Sequence, residues 1–147
     1  MESTLTIGPA RGDHVAIRVL QRAYPSSSDY WDGNWVRSTI HVRAGGFLAD
    51  VRADLRTDEI HRLADGLRFI DDNLFGSAVL QSMEDWVDLT ITCEANGSLS
   101  VAGEVTDQPG TGNRLAFSLP GLDQTYLQDW LVQAAAIEAA FPVVGRP

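Results

Sequence analysis

Hydrophobic and polar residues alternate along several stretches of this chain. From His14 to Arg22, Val15, Ile17 and Val19 fall on one side, the period-two signature of a strand with one buried face. Residues 35–43 alternate likewise, with Val36, Ile40 and Val42 opposed to Arg37, Thr39, His41 and Arg43. Ala44-Gly45-Gly46 signals a turn. Phe47, Ala49, Val51, Ala53 and Leu55 then alternate with Asp50, Arg52, Asp54 and Arg56. The two runs predict a hairpin with one wet face. A short strand over residues 5–7, ended by Gly8-Pro9, precedes them.

At Thr57 the period changes. Ile60, Leu63, Leu67, Ile70 and Leu74 recur at three-and-four spacing, which predicts an amphipathic helix. Thr57 is its expected N-cap, Asp58 and Glu59 suit the first turn, and Gly76 is the expected C-cap. Gly66, inside this helix, costs about 1 kcal/mol relative to alanine and so points to a close approach by another element.

A second set of strands follows over residues 78–83, then through Val87, Leu89, Ile91 and Cys93. Asn96-Gly97 predicts a type I′ turn into Leu99, Val101, Gly103 and Val105, and Leu115, Phe117 and Leu119 make a last strand. Asp123 is the expected N-cap of a closing helix with the stripe Leu127, Trp130, Ala134, Ile137 and Phe141, ended by Pro142. The residues show no internal repeat. This order predicts a single α+β domain over residues 1–147. It is an antiparallel sheet of about six to eight strands with two amphipathic helices packed on one face. The other face, carrying Arg37, Thr39, His41, Asp50, Arg52 and Asp54, is left for water or a partner.

Composition narrows the classes. A chain of 147 residues, 44% hydrophobic and 21% charged, has the makings of one core. Its longest apolar stretches, such as Ala134-Ala135-Ala136-Ile137, are too short to span a bilayer, and the start has no signal-peptide pattern, so a cytoplasmic protein is expected. Cys93, the lone cysteine, sits on the apolar side of its alternation and reads as a small buried hydrophobe. The net charge of −9, from 20 acidic and 11 basic residues, argues against nucleic acid and favours a basic partner.

Chemistry-bearing candidates are few. Asp29-Tyr30-Trp31-Asp32-Gly33-Asn34-Trp35 crowds three large aromatics and two carboxylates into a turn-rich loop. Trp31 and Trp35 either anchor a partner or fold back as a lid on the core. The glycines of residues 107–113 lie between strands, the wrong context for a dinucleotide fingerprint. His14, His41 and His61 form no ligand spacing, and no nucleophile motif or Walker loop is present, so neither a metal, a cofactor nor an enzyme is expected.

Tyr24-Pro25, residues 29–35 and Gly46-Phe47 resemble the front half of WapI-like bacterial immunity proteins. Residues 107–113, 123–127 and Phe141-Pro142 resemble the back half of small bacterial proteins of the same neighbourhood. The resemblance implies a cytoplasmic antitoxin that binds and neutralises a cognate toxin, often a nuclease. The residues leave monomer or homodimer open, and the exposed sheet face and aromatic loop make Asp29, Tyr30, Trp31 and Asp32 the expected binding residues, with Asp50 and Asp54 as acidic contacts. The competing expectation is a small-molecule or enzymatic pocket between sheet and helices.

Overall fold

A computed structural model describes residues 3–147. Its first half contains β1 (Ser3–Ile7), β2 (His14–Arg22), the one-turn helix α1 (Tyr30–Gly33), β3 (Trp35–Ala44), β4 (Phe47–Arg56) and α2 (Thr57–Asn73). The second half contains β5 (Gly76–Gln81), β6 (Val87–Cys93), β7 (Ser98–Thr106) and β8 (Arg114–Asp123). A single 3-10 turn (Gln124–Tyr126) then leads into α3 (Leu127–Ala140). The chain is α+β, with eight antiparallel strands among the described residues.

The strands divide into two four-stranded meanders, β1-β2-β3-β4 and β5-β6-β7-β8. Four strands and a helix therefore occur twice, a repeat of architecture without a repeat of residues. The helices lock the halves together. α2 runs back along β5, the first strand of the second sheet, while α3 lies against β1, the first strand of the first. α2 and α3 also pack on each other.

One buried cluster joins both sheets and both helices. Val15, Ile17, Ile40, Val42 and Leu55 come from the first sheet, Leu80, Leu89, Ile91 and Leu119 from the second. Of the predicted stripes, Ile60, Leu63, Leu67, Ile70 and Leu127, Trp130, Ala134, Ile137, Phe141 are buried with Cys93 among them, whereas Leu74, at the end of the first stripe, is exposed. Each fully buried aliphatic side chain contributes roughly 1.5–3 kcal/mol. At the edge of the first sheet the Thr6 N–H donates to Gln133 Oε1 of α3 (2.6 Å), so a side chain meets an otherwise open strand edge.

The close approach signalled by Gly66 is present. A Cβ there would stand 2.7 Å from Ala78 Cα and 2.8 Å from Ala78 Cβ, so only hydrogen fits between α2 and β5. Three local expectations change. Thr57 is the first helical residue rather than the cap, because Arg56 occupies the extended N-cap position and the Thr57 hydroxyl donates to Asn34 Oδ1 (2.7 Å). The left-handed C-cap is Leu74 (φ 57°), two residues before Gly76, whose own φ of 102° turns the chain into β5. Asn96 does not adopt positive φ, so the β6–β7 connection is a Glu94–Gly97 turn closed by the Gly97 N–H on Glu94 O, with only Gly97 left-handed.

Two substitutions test this packing by urea unfolding. Gly66→Ala is expected to destabilise by about 1–3 kcal/mol, overriding its gain in helix propensity. Leu74→Gly, which relieves a left-handed leucine at an exposed site, is expected to stabilise by about 1 kcal/mol.

Candidate protein-binding site

The aromatic loop is organised around a cation. Arg56 ends β4 on the outer side of the first sheet, yet it is only 1% exposed. Its guanidinium carbon lies 5.1 Å from the ring centre of Tyr30, 5.5 Å from that of Trp31 and 5.1 Å from that of Trp35. Nη1 donates to Trp31 O (2.7 Å), Nη2 to Tyr30 O (2.8 Å) and Nε to Asp58 Oδ1 (3.0 Å). A cation taken from water needs this many partners to be tolerated. The loop carbonyls and rings supply them, and the cation in turn fixes the loop.

Asn34, wholly buried, uses its full hydrogen-bonding capacity on the other side. Its Nδ2 donates to Tyr30 O and Val144 O (2.9 Å each), and its Oδ1 accepts from Thr57 Oγ1 and from Val144 N (2.9 Å). Arg22 donates to Gly33 O (2.8 Å) and to Pro142 O. A Cβ on Gly33 would meet Val144 Cγ2 at 2.7 Å and Ser27 O at 2.8 Å. The 29–35 segment and Phe141-Pro142, distant in sequence, thus meet in one knot.

What the knot presents outward is aromatic and polar. Asp29 caps α1, its Oδ2 accepting from the N–H groups of Trp31 and Asp32 (3.0 Å each). That leaves Trp31 53% exposed, with its ring edge-on to Tyr30 at 5.0 Å, and Asp32 exposed beside it. Trp31 is therefore neither free nor a core lid: its backbone is tied to Arg56 while half its surface faces water. Trp35 is half-buried.

Asp50 and Asp54 lie on the outer face of β4, apart from this corner. Asp50 Oδ1 bonds His41 Nδ1 at 2.6 Å, and His41 also sits 5.3 Å, ring to ring, from His14. Asp54 stands opposite Arg37 in the β3–β4 register. The face that holds these carboxylates also holds Arg18, Arg37, Arg43 and Arg52, so it is mixed rather than acidic. Sequence reasoning placed Arg56 among the wet-face residues and missed both it and Asn34. The available signal was three aromatics immediately before a strand that ends in arginine at a helix start.

Glu59, one turn into α2, is buried below the corner. Its Oε1 accepts from the Arg56 N–H (2.8 Å) and its Oε2 from the Met83 N–H (2.7 Å), tying the β5–β6 turn to the helix. Burial is the largest influence on it and holds its pKa above the ordinary 4.5, against the two backbone N–H groups that favour the charged form. The glycine loop is closed on itself: Asp107 accepts from both the N–H (2.7 Å) and the side-chain amide (3.1 Å) of Asn113. Among the described residues no group of three or more His, Cys, Asp or Glu is placed to hold a metal, and no helix is long and apolar enough to cross a membrane.

An immobilised, half-exposed tryptophan flanked by tyrosine, arginine and carboxylates has the composition of a macromolecular docking surface. The chain belongs to the immunity protein WapI-like family, whose sequence model matches residues 6–142. Curated proteins give no match. A solved structure, that of Trypanosoma bruciei MRP1/MRP2, covers 95% of this chain and 86% of its own at 16% identity. Its TM-score is 0.43, too slight a likeness to transfer fold or function.

Two outcomes follow for the knot. Arg56→Ala is expected to cost about 3–5 kcal/mol in denaturant unfolding, and Arg56→Lys is not expected to restore it, since a single ammonium nitrogen cannot reach acceptors that are spread over the three nitrogens of the guanidinium. For Glu59 the raised folded pKa means that the native state binds the proton more tightly than the unfolded chain. Its contribution to stability is thus fullest below the unfolded value of 4.5 and is lost as pH rises through the folded value. Glu59→Gln should flatten that part of the stability–pH curve. It should also lower stability at neutral pH by about 1–3 kcal/mol, because an amide offers an acceptor to only one of the two N–H groups.

Proposed function

We propose that this protein neutralises a cognate bacterial toxin by binding it, not by catalysis. The corner of Tyr30, Trp31 and Asp32 is the anchor, Asp29 holds it, and Asp50 and Asp54 are outlying carboxylate contacts. The observation that carries the reading is the state of Trp31, which offers a large apolar face to solvent from a backbone that Arg56 and Asp29 have already fixed. Such a side chain loses little conformational freedom on docking, the main cost that weakens flexible anchors. Family membership supplies the class of partner. The net charge of −9 favours encounter with a basic toxin domain, a nuclease among the candidates, and predicts association that weakens as salt rises.

The test begins with affinity capture from the native organism's lysate at low and high salt, followed by co-expression of the captured toxin domain with this chain. Wild type is expected to restore growth. Trp31→Ala is expected to bind the toxin at least about tenfold more weakly, while remaining folded with thermal unfolding lowered only by the loss of one of three ring contacts to Arg56. A growth-inhibiting partner bound equally well by Trp31→Ala would remove the corner from the interface. No toxin captured and no protection would overturn the immunity reading itself.

A further inference from the structure

Beside the corner lies a cleft of about 400 Å³ lined by Ala23, Tyr24, Trp35, Arg37, Arg52, Asp54 and Glu84. Two features distinguish it. Tyr24 is 55% exposed at one wall, and Trp35, held from behind by Arg56, forms another, so two aromatic faces flank the opening. Between them Arg37 and Arg52 rise from neighbouring strands on the same face, diagonal neighbours two register positions apart.

These arginines differ from those held in ion pairs. Arg62 pairs with Asp58, Arg68 with Asp65 and Glu138, and Arg114 with Asp85 and Glu104. Among the described residues, Arg37 and Arg52 have no hydrogen bond or ion pair, although Asp54 is the register partner of Arg37. Arg43 on the same face has none either. Two guanidinium groups of an acidic molecule thus stand beside aromatic walls without a hydrogen-bonded counter-ion, with the carboxylates of Asp54 and Glu84 lining the same cleft. Two guanidinium groups on adjacent strands can engage one carboxylate from both sides, and tyrosine, tryptophan and arginine are the residue types that dominate binding hot spots.

We propose that this cleft receives a carboxylate side chain of the toxin, clasped by Arg37 and Arg52, with an adjoining aromatic or apolar side chain lodged between Tyr24 and Trp35. The proposal rests on the immunity reading and names the chemistry of one contact within it. Asp54, opposite Arg37, and Glu84 line the same cleft and repel a second anion, which selects an isolated acidic residue over a polyanion such as nucleic acid. Long-range attraction of a basic domain and local capture of one of its acidic side chains are compatible, since the first follows net charge and the second follows the nearest groups.

The test uses acetyl-Glu-Tyr-amide as probe, with the Gln-Tyr and Lys-Tyr analogues and a short oligothymidylate, titrated into the 15N-labelled protein. With the glutamate probe, the Arg37 and Arg52 Nε–H and Trp35 indole signals are expected to shift and saturate. The other three probes should leave them at least about tenfold less affected. The Arg37→Gln/Arg52→Gln double variant, its remaining spectrum showing it folded, should lose the response. Equal shifts with the glutamine probe, larger shifts with the lysine probe or oligothymidylate, or no shift at all would each overturn the proposal. These titrations involve no toxin, so they judge the cleft even where the immunity reading fails. Conversely, protection that survives in the double variant and is lost in Trp31→Ala would sink the cleft contact and leave the immunity reading standing.

Discussion

A guanidinium removed from water at the end of a strand is the constraint that shapes this molecule's distinctive corner. An unpaired cation in that position would cost several kcal/mol, so every group near Arg56 is arranged to meet it. Two loop carbonyls, the Asp58 carboxylate and three aromatic faces surround it. The loop cannot drift without abandoning the cation, and the cation cannot leave without stranding the carbonyls. Asn34 extends this dependence to the far end of the chain through Val144, and Glu59 extends it to the turn at Met83. Rigidity on the surface here is bought by burial beneath it.

Charge is distributed on two scales that need not agree. The whole chain is strongly acidic, whereas the outer face of the first sheet carries Arg18, Arg37, Arg43 and Arg52 against Asp50 and Asp54. On the second sheet Asp88 and Glu104 face outward, with Arg114 drawn into pairs with Glu104 and Asp85. Net charge governs how a partner approaches, and the local pattern governs how it seats. A surface that mixes both signs around aromatic anchors can reject near relatives of its partner by a single like-charge contact.

Most of the elements were legible because nearly every strand has one wet face and both long helices carry an apolar stripe. His14–Arg22 and Val87–Cys93 run as their alternations predict. Gly66 announced the helix–strand contact that Ala78 completes. The assembly was less legible, because alternation tells which way a side chain faces and not which strand lies beside it. The division into two sheets is therefore absent from the pattern. Local preference also misled where tertiary partners intervened: Thr57 looks like a cap, but Asn34 takes its hydroxyl, and Gly76 looks like the helix end, but Leu74 adopts the left-handed turn first. Within the corner, the aromatic cluster was visible in sequence. Its organiser was not, since Arg56 continues the alternation of Asp50, Arg52 and Asp54 and differs from them only in what stands over it.

The reciprocal seating of the helices also bears on how the chain is made. When β1 leaves the ribosome, the helix that will cover its edge is still unwritten, because α3 is the last long element of the chain. α2 likewise has no strand to lie along until β5 has emerged behind it. The first strand thus waits for the last helix, and the contacts that close the core join residues more than a hundred positions apart, as between Thr6 and Gln133. Such a topology defers completion of the fold until α3 has been made, and its non-local contacts slow folding.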